Sequence, residues 1–219
     1  MKKIGIILTT FNNLEMTKVC LHSLFENTTN YELIVVDNNS TDGTQDWIKK
    51  QNIQLIELKE WKGVSSAINQ GIRFFFNKEN EKTFYDICWI HNDMTFFPKW
   101  LNALQEYLDN HPECGRVASH NMRDPLAPER PGNELPFLIR GECFKKIGMF
   151  DERFKGAAGK EDWDFNNRLL DNGWKIMITP ESKVFHKGAG TRSGLMPREW
   201  EEHNNWLYWS KWGTNEPKV

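Results

Sequence analysis

Short apolar runs alternate with helical stripes through the first half of the chain. Ile4–Leu8, Leu33–Val36, Ile53–Leu58 and Tyr85–Ile90 are rich in β-branched or aromatic residues. The first two are nearly unbroken, as strands covered on both faces should be. Between the runs, Leu14, Thr17, Leu21, Leu24 and Phe25 recur on one helical face, and Val64, Ala67, Ile68, Ile72 and Phe75 on another. A further helix starts near Thr41-Asp42-Gly43, a capping cluster, and turns Trp47 and Ile48 inward. Strand–helix–strand alternation at this spacing predicts a mostly parallel, doubly wound α/β sheet.

The second half is less regular. Leu101, Leu104 and Leu108 predict a helix over Trp100–Asn110, followed by a strand at Arg116–Ser119. Asn121–Pro136 carries four prolines and reads as an irregular loop of a length that often has a function. A strand at Phe137–Arg140, a helix at Glu161–Asn172 closed by Gly173, and strands at Lys175–Thr179 and Lys183–Phe185 complete the pattern. With no internal repeat or linker, a single domain over residues 1–195 is expected, with 196–219 as an aromatic-rich helix or tail packed on it. In that tail Trp206, Trp209 and Trp212 recur every third residue, which predicts a helix with its rings against the domain. A homodimer surface and a membrane-interface anchor stay open as alternatives, although Glu199, Glu201 and Glu202 suit an anionic bilayer poorly.

Composition narrows the function classes. Hydrophobic residues make up 39% and charged residues 26%, an ordinary globular balance. The 28 basic and 30 acidic side chains leave a net charge of −2, so the basic excess of a non-specific nucleic-acid binder is missing. No apolar run approaches the roughly 18 residues of a spanning helix. Met1-Lys2-Lys3 leads into a run too short for a signal peptide, so a cytoplasmic chain is expected, peripheral at the membrane at most. Cys20, Cys88, Cys114 and Cys143 are scattered without metal or disulfide spacing and read as small hydrophobes.

Candidate chemistry sits where the strands stop. Ile4–Leu8 runs into Thr9-Thr10-Phe11-Asn12, Leu33–Val36 into Asp37-Asn38-Asn39-Ser40, and Tyr85–Ile90 into His91-Asn92-Asp93. If the strands are parallel, all three clusters share one sheet edge, where open α/β sheets bind ligands. Polar residues also simply mark strand ends and turns. Neither a GxGxxG nor a GxxxxGK[ST] motif is present, so phosphates would need another partner. A divalent cation held by Asp93 and a second ligand would serve.

The same clusters resemble the inverting family 2 glycosyltransferases of GT-A fold. Thr9–Asn12, Val35–Thr44 and His91-Asn92-Asp93 carry the resemblance. So do Ile147–Phe154, similar to the family's "vGgFDErF", and Glu161–Phe165 with Arg168 and Gly173, similar to "EDxDlxxRxxxxG". His186 follows Val184-Phe185 where many members carry histidine, and the match spans residues 3–190.

The resemblance implies a metal-dependent transferase that moves a sugar from a nucleoside-diphosphate donor, a UDP-sugar first, to an acceptor hydroxyl. Asp37 would read the base, with Thr9, Thr10, Phe11 and Asn12 lining its pocket and Asn92 on the ribose; an Asx-turn role for Asp37 stays open. Lys62, Gly63 and Asn69 resemble the stretch flanking the nucleotide, although Trp61 replaces its usual first asparagine. Arg140 and Arg192 are further donor-binding candidates. Asp93 and His186 would hold Mn²⁺ or Mg²⁺, with one carboxylate left in the His91-Asn92-Asp93 triplet. Asp162 would be the general base, with Glu161 and Trp163 toward the acceptor.

Gly156–Gly159 and Gly188–Gly194 read either as lids over a hydrolysable donor or as plain connectors. Two other functions compete. A sugar nucleotidyltransferase would need a glycine- and arginine-rich loop after the first strand, and Thr9–Asn12 has neither residue. A non-catalytic nucleotide-sugar binder would fit a decayed metal triplet. The acceptor is left open among a glycan, a lipid-linked saccharide, a peptide and other hydroxyl compounds.

Overall fold

The computed structural model describes residues 2–78, 84–122, 135–157, 159–188 and 196–218. Its first half follows the predicted alternation: β1 (Lys2–Thr10), α1 (Leu14–Asn27), β2 (Tyr31–Asp37), α2 (Thr44–Lys50), β3 (Leu55–Glu57), α3 (Gly63–Phe76) and β4 (Phe84–His91). The second half adds β5 (Met94–Phe96), α4 (Trp100–Asn110), β6 (Cys114–Asn121), β7 (Phe137–Ile139), α5 (Gly141–Ile147), α6 (Glu161–Asp171), β8 (Lys175–His186) and α7 (Arg198–Trp212).

The strands form one eight-stranded sheet in the order β3-β2-β1-β4-β7-β6-β8-β5. β3, β2, β1 and β4 are mutually parallel, and so are β6 and β8; β7 runs antiparallel to both its neighbours and β5 antiparallel to β8. The apolar runs explain the parallel half, since Ile6, Ile7, Leu8, Ile34, Val35, Val36, Ile87 and Ile90 are fully buried. α3 packs on β1, β2 and β4, and α4 on β6 and β8. No helix among the described residues is long and apolar enough to cross a membrane.

Three elements depart from the sequence expectation. β5 and α5 were not expected, because three and seven residues are too short to carry a readable period. β5 exists through its partner: Met94, Thr95 and Phe96 pair with His186, Phe185 and Val184. The two strands expected at 175–179 and 183–185 form one, β8, which crosses Pro180 with a register irregularity opposite Ser119 and His120. Twelve residues of the proline-rich loop, 123–134, lie outside the described residues.

α7 corrects the expectation for Trp206 and Trp209, while Trp212 packs on the domain. Leu207, Tyr208 and Asn204 are the residues it buries, while Trp206 and Trp209 are 61% and 53% exposed. Residues one apart lie about 100° around a helix, so Trp206 and Trp209 point away from the Leu207-Tyr208 pair, whereas Trp212, four after Tyr208, shares its face. Leu207 and Tyr208 pack with Phe154, Trp163 and Trp212. Tyr208 Oη accepts from Asn167 Nδ2 at 2.6 Å, and Asn204 exchanges two bonds with the main chain of Lys155. Lys211 reaches Asp151 at 2.8 Å and Asp164 at 2.5 Å.

Candidate active site

Parallel pairing sets the three strand-end clusters side by side. Thr10 is in register with Asp37, and Thr9 with His91, so the carboxyl ends of β1, β2 and β4 share one edge. A cavity of about 520 Å³ opens there, within the size range of small-molecule sites. Thr9, Thr10, Phe11, Asn38, Asn92 and Asp93 line it from the sheet. Lys160, Glu161, Asp162 and Trp163 line it from the start of α6, and His186 from the end of β8.

The short β5 brings His186 to Asp93. Pairing Met94 with His186 places His186 Nε2 3.1 Å from Asp93 Oδ1. His91, the last residue of β4, completes a trio whose ligating atoms all lie within 4.8 Å of one another. The His91 ring stands edge-on to Trp89 at 4.8 Å and to His186 at 5.9 Å. Burial pulls its imidazole down to about 4, against an upward pull from the Asp93 charge and with a smaller downward contribution from His186. The ring is therefore neutral near pH 7, with one nitrogen lone pair available to a metal. Its buried Nε2 has no hydrogen-bond partner among the described residues, which is an unusual expense for a polar atom unless something binds there. Two imidazoles and a carboxylate fit a divalent first-row ion, more readily Mn²⁺ than Mg²⁺. Sequence reasoning passed over His91 because it weighed the triplet by its charges. The spacing of His91 and Asp93, two apart across a tight turn, was the signal.

α6 sorts its acids by position. Lys160, in the left-handed conformation with φ 71°, delivers the chain into the helix, and Glu161, Asp162 and Asp164 occupy the first turn, where the helix dipole favours them. Glu161 is buried and accepts from the Gly159 N–H at 2.6 Å. Asp164 is fully buried and bonds Arg168, Lys211 and the Trp212 indole. Asp162, half-buried, faces the cavity, with one oxygen accepting from the N–H of Trp163. The Trp163 ring also lines the cavity, edge-on to Tyr208 and beneath the Lys160 ammonium at 4.1 Å.

Several expected donor-binding side chains are committed elsewhere. Asp37 is fully buried and outside the cavity lining, its oxygens accepting from Ser40 and from Gln45 Nε2 in an Asx-turn geometry. Asn12 accepts from Thr41 N through its side chain and lies outside the cavity lining. Asn69 is also away from the cavity: its amide bonds the main chain of Phe150 in both directions and Glu152. Arg140 is buried and donates to the carbonyls of Cys114, Leu108 and His111, so it holds β6 to the end of α4 and does not reach the cavity. Asp37, Asn69 and Arg140 are buried polar groups that the fold satisfies from its own framework.

Lys62 pairs with Glu60, and its N–H donates to Asn38. Gly63 has φ 78° and lies so near the Gly156 carbonyl that a Cβ would come within 2.9 Å of it. Both shape the rim and neither lines the cavity. Asn92 lines it while donating to Thr10, Thr17 and the Asn12 carbonyl, and Thr9 accepts from the Trp89 indole. Arg192 lies outside the described residues.

The cavity has walls that the sequence did not announce. Trp61 lines it, edge-on to Phe11 at 6.3 Å. Glu201, Asn204 and Asn205 of α7 line it too. Nothing in a local motif marks the three α7 residues, since docking of that helix alone brings them here.

The Glycosyl transferase family 2 model matches residues 5–164. A curated protein of Methanococcus voltae, dolichyl N-acetyl-alpha-D-glucosaminyl phosphate 3-beta-D-2,3-diacetamido-2,3-dideoxy-beta-D-glucuronosyltransferase, is 25% identical over 256 aligned positions, covering 95% of this chain and 78% of that protein. Among solved structures, mannosyltransferase PcManGT from Pyrobaculum calidifontis, in complex with GDP-Man and Mn²⁺, superposes with a TM-score of 0.69 at 18% identity, over 90% of this chain and 57% of that one. S. aureus TarS 1-349 in complex with UDP superposes with a TM-score of 0.63 at 18% identity, over 83% of this chain and 59% of that one. The chain thus spans somewhat more than half the length of these solved chains. Because the family model covers most of the sequence and the sheet is shared with those structures, the chain belongs to glycosyl transferase family 2 and is a glycosyltransferase of GT-A fold.

Proposed function

We propose that this chain transfers a sugar, with inversion, from a nucleoside-diphosphate donor to a saccharide hydroxyl. One observation carries the reading. Asp93, His91 and His186 lie on one side of the same cavity that Asp162 enters from α6. That division of labour is what an inverting displacement needs: cationic help for the leaving diphosphate, and a carboxylate facing the attacking hydroxyl.

Asp93, His91 and His186 would hold a divalent cation, Mn²⁺ first, whose charge stabilises the departing diphosphate when bound. Asp162 accepts the acceptor's hydroxyl proton as the new glycosidic bond forms, a contribution of roughly 10²–10⁴-fold. The N–H of Trp163 holds one Asp162 oxygen, which orients the carboxylate. Phe11 and Trp61 supply apolar faces for the base. With Asp37 spent on Ser40 and Gln45, base selection passes to residues nearer the cavity such as Asn38. A UDP-sugar remains the first candidate, supported by the family resemblance and by a UDP complex of one structural neighbour; another neighbour carries GDP-Man. The saccharide acceptor is supported by the curated relative, which is named for a dolichyl-linked glucosaminyl phosphate.

The test is turnover of a panel of UDP-, dTDP- and GDP-sugars with Mn²⁺. One donor should release free nucleoside diphosphate, and Asp162→Asn should abolish that while leaving nucleotide binding in place. Nucleotide binding without turnover of any donor, with and without added saccharides, would return the chain to the non-catalytic reading.

A further inference from the structure

We infer that Trp206 and Trp209 of α7 form a second saccharide subsite, which stacks sugar rings of the acceptor beyond the one that enters the cavity. The inference rests on the transferase reading above and extends it to the acceptor's length. Trp206 and Trp209 are 61% and 53% exposed and, three apart on α7, present their indoles on one face. With Asn205 and Asn215 they line a shallow hollow of their own.

Two links join this hollow to the active cavity. Asn205 lines both. Lys160, which delivers the chain into α6 and lines the cavity, donates to the Asn215 carbonyl at 2.8 Å while its ammonium sits over Trp163 and Tyr208. The far wall of the hollow is therefore anchored to the residue preceding the acids of α6. An acceptor placed against Asp162 has a path past Asn205 onto the indoles.

The chemistry of the hollow selects the occupant. Indole faces are flat and apolar and meet the C–H face of a pyranose, while the flanking amides of Asn205 and Asn215 both donate to and accept from sugar hydroxyls. A bilayer is a poorer match, because Glu199 and Glu202, near the tryptophan face of the same helix, would meet an anionic surface. A second copy of this chain would need a larger apolar area than two rings provide.

The full chain, with Mn²⁺ and UDP present, is tested on an immobilised panel of monosaccharides and the matching di- to tetrasaccharides, alongside anionic phospholipid vesicles and sedimentation velocity. The wild-type chain should hold its preferred oligosaccharide at least about tenfold tighter than the matching monosaccharide. W206A/W209A should erase that difference and W206F/W209F should keep most of it. Phe25→Ala, at an exposed ring on α1, should change nothing. Equal affinity for short and long saccharides, no saccharide held at all, or undiminished affinity in W206A/W209A overturns the subsite. So does vesicle binding or self-association that disappears in W206A/W209A. The chain-length comparison needs no variant, so a variant that fails to fold does not blunt the test. If none of UDP, dTDP and GDP is bound while the oligosaccharide preference stands, the proposed nucleotide-donor reading falls and the saccharide subsite survives.

Discussion

The indole of Trp61 lies flat against that of Trp200, with ring centroids 5.3 Å apart and planes 5° from parallel. Trp61 belongs to the turn before α3, and Trp200 to the first turn of α7. Their stack clasps the C-terminal helix to the parallel half of the sheet beside the cavity. Trp200→Ala should therefore act on both: about 1–2 kcal/mol of stability lost from the missing aromatic pair and its buried area, and nucleotide affinity several-fold weaker through the loosened Trp61. Thermal unfolding and calorimetric titration with UDP read the two effects, and unchanged affinity would detach Trp61 from the donor.

His91 gives the clearest prediction about the metal. His91→Ala, Asp93→Asn and His186→Ala should each weaken Mn²⁺ binding by at least about tenfold, as counted by the electron paramagnetic signal of unbound ion. Mn²⁺ should raise the melting temperature of the wild-type chain by mass action, and EDTA should reverse the rise. Full Mn²⁺ affinity in His91→Ala would leave the orphaned Nε2 without an explanation.

Arg140 and Asn69 were expected to bind the donor, and the structure assigns both to the framework. Arg140→Met would leave the carbonyls of Leu108, Cys114 and His111 without their donor and should cost about 2–4 kcal/mol. Asn69→Ala should cost about 1–3 kcal/mol by releasing Phe150 and Glu152 from α3. Both variants, assayed below their melting temperature, should keep the wild-type donor KM. A raised KM with unchanged stability would restore the donor-binding role.

Glu32 sets part of the acid limb of stability. Lys78 foremost, then Tyr85 and Lys3, bond its carboxylate and hold it down at about 2, against an opposing effect of burial and an ordinary value of 4.5. Between those two values the unfolded chain binds a proton that the folded chain refuses. The contribution is therefore complete above pH 4.5 and lost as the pH falls toward 2. The group is near the surface, so its worth is about 1 kcal/mol or less. Urea titrations of Glu32→Gln and wild type should differ at pH 6 and converge near pH 2.

Local period and the chemistry of strand ends were legible in the amino-acid order alone. Unbroken apolar runs at 4–8 and 33–36 specify strands buried on both faces, and parallel strands must present their polar successors at one edge. The acids at 161, 162 and 164 were equally visible, although not which one faces the cavity. The folded structure decided the rest, because each remaining choice is a competition among partners that local period does not rank, most of them remote along the chain. Ser40 and Gln45 claimed Asp37, Phe150 claimed Asn69, and three carbonyls claimed Arg140, since a buried polar group takes the nearest satisfying geometry. Three residues of β5 held His186 beside Asp93, and the inward face of α7, set by Leu207 and Tyr208, turned Asn204 and Asn205 to the cavity and left two tryptophans in water. Neither arrangement has a local period, because strand register and helix docking are settled by surfaces that meet only after the chain has folded.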